Sequence, residues 1–231
     1  VRRPQKTTDG KTELIIKHYP AIANMGQSWS KPKLDYVNWN GKRKLVMFVG
    51  GGYDAGGLNG DGIYDDNGVR IRYEGYEKYN YRQDVDGENE IGSGVYMFDA
   101  DNGDLLWYAS KTKHSITKEE GDETSYLQPD AYTSHEDLKF SVVSDIKTID
   151  RNNDGIVDHL YFGDLAGQAF RVDLNKPENG KYTFSPRVTR ILNLHSNDGT
   201  SPRFYLPPVF TAHHSANAYT ESGNIVMATF I

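Results

Sequence analysis

The chain of 231 residues contains no cysteine and only 4 methionines. The lack of cysteine excludes disulfides and zinc–thiolate sites. No run of about 18 apolar residues occurs, so the sequence predicts no membrane-spanning helix. The formal net charge of −6 argues against a nucleic-acid-binding surface.

Common catalytic patterns are also missing from the sequence. There is no G-x-S-x-G nucleophile elbow and no H-E-x-x-H zinc motif. The adjacent histidines His213 and His214 are predicted at a turn or strand edge, because neighbours in a strand point to opposite faces. A Ser/His/Asp arrangement assembled in space stays open. The sequence predicts a protein that is not an enzyme.

The residues that are abundant favour β-structure. The chain holds 16 tyrosines and 23 glycines, with 37% hydrophobic and 25% charged residues. Tyrosine favours strands and glycine favours turns. We therefore expect an all-β protein with a packed core.

Predicted strands recur in a fixed order along the chain. Each round reads strand, turn, short apolar strand, glycine, strand ending in aspartate, turn and strand. The predicted strands are 33–37, 45–49, 94–99 and 104–108 in the first round, 141–149, 159–162, 167–174 and 182–184 in the second, and 205–210 and 225–230 in the third. Four-stranded units repeated in this way are typical of β-propeller blades.

The sequence thus predicts one partial β-propeller domain over residues 1–231. Two insertions interrupt the repeats, at about 53–93 and 111–137. Trp29 and Trp107 occupy similar places in their repeats and are expected to pack between blades, whereas Trp39, beside the Asn40-Gly41 turn, is expected to be exposed. The chain ends within an apolar run, so we expect it to be part of a larger protein.

The loop 150–158 has the spacing of a calcium-binding loop, D-x-N-x-D-G-x-x-D. Ca²⁺ takes about six to eight oxygen ligands, and alternate residues of a tight loop supply them. The expected ligands are the side chains of Asp150, Asn152, Asp154 and Asp158 and the backbone carbonyl of Ile156. Position twelve is a tyrosine and both flanks predict strands, so we expect a calcium loop within a β-hairpin rather than an EF-hand. An ordinary Asn/Asp/Gly turn is the alternative.

Two other charged segments are weaker candidates. Residues 59–65 form a partial second calcium loop that lacks a carboxylate at its first position, and a cation site with few charged ligands binds weakly. The basic cluster of Lys42, Arg43 and Lys44 adjoins a predicted turn and is expected to be solvated.

Several motifs in fixed order resemble the C-terminal propeller of the PilC/PilY family of type IV pilus biogenesis factors and pilus-tip adhesins. They are the G-x-S-W-S-x-P of residues 26–32, the G-G-Y-D of 51–54, the V-Y-x-x-D-A-x-x-G-x-x-L-W of 95–107, the calcium loop with the Y-x-G-D-x-x-G-x-x-x-R-x-D of 161–173, and the Y-x-P-P of 205–208.

The resemblance implies a seven-bladed, quinoprotein-like propeller, of which this chain covers about half. It implies that Ca²⁺ governs pilus extension against retraction, with consequences for twitching motility, surface attachment and virulence. The domain would be exported through the periplasm and outer membrane to the pilus tip. Its partners would be minor pilins or other tip proteins and a host-cell or abiotic surface receptor. The alternatives are a quinoprotein dehydrogenase, in which Ca²⁺ contacts a quinone, and a calcium-dependent glycan-binding module.

Overall fold

In the computed structural model the protein is all-β. The structure describes residues 2–6, 11–16, 18–57, 62–72, 91–113, 129, 131–178, 181–196, 200–213 and 225–229. Within these residues the helical structure is one short 3₁₀ helix, Pro20–Asn24. The prediction of an all-β chain is confirmed.

The strands of the described residues are numbered in chain order. They are β1 Arg2–Lys6, β2 Thr12–Ile16, β3 Lys33–Trp39, β4 Lys42–Gly50, β5 Ile63–Tyr64, β6 Arg70–Arg72, β7 Val95–Asp99, β8 Leu105–Ser110, β9 Ala131–Ser134, β10 Lys147–Ile149, β11 His159–Gly163, β12 Gln168–Glu178, β13 Lys181–Asn193, β14 Val209–His213 and β15 Ile225–Thr229.

Two large sheets carry the core. The first has the order β3-β4-β7-β8-β9, in which β9 is parallel to β8 and the other neighbours are antiparallel. The second is an antiparallel meander of β10-β11-β12-β13. Three two-stranded sheets, β1-β2, β5-β6 and β14-β15, complete the described structure, in which no sheet closes on itself.

Turn chemistry fixes the first hairpin. Asn40 and Gly41 join β3 to β4 with φ of 52° and 75°. Positive φ at both central residues is the requirement of a type I′ turn, whose twist matches that of the strands. The predicted hairpin is therefore confirmed.

Two strand pairs, β4 with β7 in the first large sheet and β11 with β12 in the second, share one pairing register. In the first sheet, five consecutive pairs run from Gly50 opposite Val95 to Val46 opposite Asp99. In the second, five consecutive pairs run from Gly163 opposite Ala169 to His159 opposite Asp173. In both strand pairs, a glycine of the first strand forms the pair at one end, and an aspartate of the second strand forms the pair at the other end. The repeat seen in the sequence is thus present in the strand pairing.

The equivalent faces of the two sheets have different neighbours. Tyr96 and Phe98 of β7 pack with Ala21 of the 3₁₀ helix. The equivalent residues of β12, Phe170 and Val172, pack against the opposite face of the first sheet, in the largest apolar cluster. The second sheet therefore packs on the first sheet with the same face that the first sheet packs on the segment before it. Repeated units that stack in one direction pack in this way.

Several predicted boundaries were wrong. Residues 141–146 were predicted as strand, but regular pairing begins only at β10. Those residues run between the sheets, where Val142 bonds Gly92 and Gly52 through its backbone and Ser144 bonds Gly163. The predicted turn at 175–180 starts too early, because β12 continues to Glu178. The predicted insertions contain the strands β5, β6 and β9, and the third-round strand 205–210 begins only at β14.

Two of the three tryptophan predictions were wrong. Trp107 is fully buried in the largest cluster, as expected. Trp29 is 57% exposed and lies against Tyr53, with ring centroids 5.2 Å apart. Trp39 packs edge-on against Phe184 at 4.8 Å. The turn at Asn40 leaves Trp39 on the face that β13 covers, which sequence proximity to a turn does not reveal.

Candidate metal centre

The loop 150–158 connects β10 to β11, as the sequence predicted. Backbone bonds fix its second half to three strands: Asp158 N donates to Ile149 O (2.9 Å), Val157 N to Tyr36 O (2.8 Å) and Leu174 N to Asp158 O (2.9 Å). Those partners belong to β10, β3 and β12. The loop is therefore held by both large sheets, although its first half, 151–155, is exposed.

The tight course of the loop depends on two residues with left-handed backbone. Asn153 has φ of 61° and Gly155 has φ of 81°. Glycine adopts this region without steric cost, and asparagine tolerates it better than most residues. The glycine at position six of the loop has the role that the sequence predicted for it.

The three loop carboxylates accept backbone N–H groups of the loop itself. Asp150 accepts from Asp154 N (3.2 Å) and Gly155 N (2.7 Å). Asp154 accepts from Ile156 N (2.8 Å), and Asp158 from the backbone N–H of Arg151 (2.9 Å). These bonds satisfy the amides of a short exposed turn. They also hold the carboxylates of Asp150, Asp154 and Asp158 within one loop.

Asn152 is tied to Asp154 in both directions. Its Nδ2 donates to Asp154 Oδ2 (2.9 Å), and its Oδ1 accepts from Asp154 N (3.2 Å). The side chains of Asn152 and Asp154 are thus neighbours in the structure. Ile156, whose carbonyl was the fifth predicted ligand, lies between Asp154 and Asp158 in the loop.

The donor set fits a hard cation in chemistry. Every predicted ligand offers oxygen, which Ca²⁺ prefers. A carboxylate has about four lone-pair positions, so an oxygen that accepts an amide can still approach an ion. In the described part of the chain, however, no three acidic, histidine or cysteine side chains stand close enough to hold a metal. Ion binding would require the loop carboxylates to turn toward a common centre.

The basic cluster near the first turn is not merely solvated. Lys44 Nζ lies 2.8 Å from Asp99 Oδ2, a carboxylate that is buried. Arg43 Cζ lies 3.9 Å from the centroid of the Tyr36 ring. The Arg43 guanidinium also lies beside the loop 150–158. If Gly155 carried a Cβ, that atom would lie 3.2 Å from Arg43 Nη2. The prediction of a solvated charge was wrong for Lys44, which β4 carries beside Asp99, whereas Arg43 is exposed as predicted, although its guanidinium also contacts Tyr36.

The first three residues of the partial second loop at 59–65 lie outside the described residues, which resume at Gly62. At its end, Asp65 Oδ1 accepts N–H from Asn67 (3.0 Å) and Val69 (2.8 Å). Asp54, before the loop, is fully buried and accepts from Gly56 N (2.8 Å). The described contacts of these two aspartates are those of turn-stabilising carboxylates.

A chain of polar side chains begins at the buried Asp164 in the β11–β12 turn, and the sequence analysis predicted none of its side-chain contacts. Asp164 accepts N–H from Ala166 (3.0 Å), from the Gln168 backbone (2.9 Å) and from Gln168 Nε2 (2.9 Å). Gln168 Oε1 accepts from Arg190 Nη1 (2.7 Å), and Arg190 in turn pairs with Asp137. Burial raises the pKa of Asp164 to about 7, against the lowering effect of these donors and of Arg190. Desolvation therefore outweighs three hydrogen bonds at this carboxyl.

A second charged cluster surrounds Asp173 on the other face of the same sheet. His159 Nδ1 lies 2.7 Å from Asp173 Oδ1, Arg171 Nε lies 3.0 Å from it, and Arg187 Nη2 lies 3.4 Å from Oδ2. Burial alone would raise the pKa of Asp173, but Arg171 and His159 outweigh it and the pKa is lowered. This aspartate is therefore a structural anion shared by three strands.

Comparison of the chain with protein-family models, with curated protein sequences and with solved structures found no match. No helix within the described residues is long and apolar enough to cross a membrane.

His213 lies at the end of β14, and its neighbour His214 is outside the described residues.

Proposed function

We propose that this chain is a calcium-binding part of a β-propeller from a type IV pilus-tip adhesin and assembly factor. The observation that carries the proposal is the loop 150–158, which sets four oxygen-bearing side chains at calcium spacing between two paired strands. The ordered motifs that resemble the PilC/PilY family supply the pilus context. The common register and one-way stacking of the two large sheets support the propeller architecture.

The proposed mechanism is electrostatic. Asp150, Asp154 and Asp158 bring three negative charges into one short loop, and like charges at this range repel one another. A bound Ca²⁺ would neutralise them and fix the exposed first half of the loop. An ion that binds the folded loop and not the unfolded chain stabilises the fold by mass action, by about 2.7 kcal/mol when its concentration is 100 times Kd. The ordered loop would then present a defined surface to pilin partners or to the retraction machinery.

The Asp154→Asn variant tests the site in purified protein. It keeps the side-chain size and removes one charge, so we expect calorimetry to show calcium affinity at least 10-fold weaker and the thermal shift produced by Ca²⁺ to be lost. Asp101→Asn is the matched control, because Asp101 is an exposed aspartate in a different strand connection, between β7 and β8. Equal affinity in Asp154→Asn and wild-type protein would remove this loop from the proposal.

A cellular test addresses the pilus. Piliation and retraction would be measured across calcium concentrations in strains carrying Asp154→Asn or Asp101→Asn in the full-length protein. We expect the first variant to lose the calcium dependence and the second to keep it. Calcium-dependent piliation that persists in Asp154→Asn would contradict the regulatory role.

A further inference from the structure

Arg43, in β4 of the first sheet, lies beside the loop 150–158, which joins β10 to β11 of the second sheet. Its guanidinium is stacked on Tyr36, with Cζ 3.9 Å from the ring centroid. The carbonyl of the same Tyr36 accepts Val157 N at 2.8 Å, and Arg43 Nη2 lies 3.2 Å from the place that a Cβ on Gly155 would take. Arg43 is exposed, and its stacking on Tyr36, whose carbonyl is bonded to the loop, places the guanidinium beside Gly155.

The position of Arg43 places its charge within reach of the loop carboxylates. Gly155 N donates to Asp150 Oδ2 at 2.7 Å, so Arg43 and that carboxylate lie on either side of one residue. Charges separated by less than a Debye length, about 10 Å at 0.1 M salt, still interact. The loop also contains Arg151, whose charge acts on the Tyr161 phenol. Arg43 thus adds a second positive charge, from outside the loop, to a loop with three carboxylates.

We propose that Arg43 sets the calcium affinity of the loop 150–158 by holding a competing positive charge beside it. This inference depends on the proposed calcium site. Without the ion, the guanidinium offsets part of the repulsion among the carboxylates. With the ion bound, the same charge repels it. Arg43 therefore stabilises the ion-free loop and weakens ion binding.

The size of the effect follows from Coulomb's law in a solvated setting. For a divalent ion and one charge separated by a Debye length, about 10 Å at 0.1 M salt, a dielectric near that of water gives about a two- to four-fold change in Kd, depending on the screening. Removing the charge should tighten binding by that factor, and reversing it should tighten binding by roughly the square of the factor. The change should disappear near 1 M salt, where the Debye length is about 3 Å.

The experiment is calcium titration by calorimetry of wild-type protein, Arg43→Lys, Arg43→Gln and Arg43→Glu at low and high salt. We expect affinity to rise in the order of wild type and Arg43→Lys, then Arg43→Gln, then Arg43→Glu, and the four to converge at high salt. Lys113→Gln is the control for net charge, because Lys113 is an exposed lysine just after β8 and its loss should leave Kd unchanged.

A merely structural role for Arg43 gives another pattern. If the side chain only supports Tyr36 and the loop, Arg43→Gln and Arg43→Glu would both weaken binding, and salt would not restore it. That result, or an unchanged Kd in Arg43→Gln when wild-type protein binds Ca²⁺, would refute this inference and leave the calcium site intact. An absence of calcium binding in the wild-type protein would refute the proposed function and this inference together.

Discussion

Asp164 predicts an unusual dependence of stability on pH. Its carboxyl is 1% exposed, and its pKa rises from 3.8 to about 7 in the folded protein. Between these values the folded state holds a proton that the unfolded chain has released, so the free energy of unfolding falls as pH rises. The stabilising contribution is complete below about pH 4 and lost above about pH 7. One pKa unit corresponds to about 1.4 kcal/mol, which gives an upper limit of about 4 kcal/mol.

The assay is urea denaturation followed by tryptophan fluorescence at pH 5, 6, 7 and 8. Wild-type protein and Asp164→Asn are compared, because asparagine stays neutral at every pH. Between pH 5 and pH 8 the stability of the wild type relative to the variant should fall by at most about 3 kcal/mol. Subtraction removes the titration of histidines and other shared groups. Asp101→Asn, at an exposed position, should give a difference that does not vary with pH.

A stability of the wild type, relative to Asp164→Asn, that rises from pH 5 to pH 8 would refute the reasoning. A relative stability that is constant from pH 5 to pH 8 would mean that Asp164 is ionised in the fold at every pH tested. The N–H donors of Ala166 and Gln168 and the charge of Arg190 would then outweigh burial. Because those donors are all present in the structure, the experiment decides directly between desolvation and hydrogen bonding at one carboxyl.

Two further substitutions test how the sheets are held. Lys44→Met removes the ammonium 2.8 Å from the buried Asp99 and should lower the free energy of unfolding by roughly 1–3 kcal/mol. Unchanged stability in urea denaturation would show that solvent replaces this ion pair. Gly163→Ala places a Cβ 2.6 Å from that of Phe204 and should cost about 1–3 kcal/mol. The cost should shrink in the double variant with Phe204→Gly, which removes that Cβ, and additive losses would contradict the steric explanation.

Local sequence signals predicted the hairpins well. The turn at Asn40 and Gly41, the strands β7 and β8, and the loop between β10 and β11 all follow from residues close in sequence. Turn type depends on two or three residues, so the sequence contains the necessary information. The turn of the loop 150–158 also depends on residues close in sequence, since Asn153 and Gly155 supply its left-handed backbone.

Features that depend on distant residues could not be predicted in the same way. Trp39 is covered by Phe184 of β13, and Asp164 is linked to Arg190 and Asp137 through Gln168. The Trp39–Phe184 and Arg190–Asp137 contacts form only when the second sheet packs on the first, and the Gln168–Arg190 bond forms only when β13 pairs with β12. Residues 141–146 show the converse, since their β-branched pattern predicted a strand but burial between the sheets gave them other partners.

The loop 150–158 is bonded to strands of both large sheets, so the proposed ion binding would affect more of the fold than the loop. A calcium loop supported only by its own hairpin would stabilise only β10 and β11. Here Val157 N donates to Tyr36 O of the first sheet, and Arg43 of that sheet borders Gly155. Ordering the loop therefore also orders part of the contact between the two large sheets. Ligand binding stabilises every interaction that is present in the bound state and weaker in the free state. Calcium should thus slow hydrogen exchange in β3 as well as in the loop, and protection confined to the loop would show that the two sheets are not coupled through it.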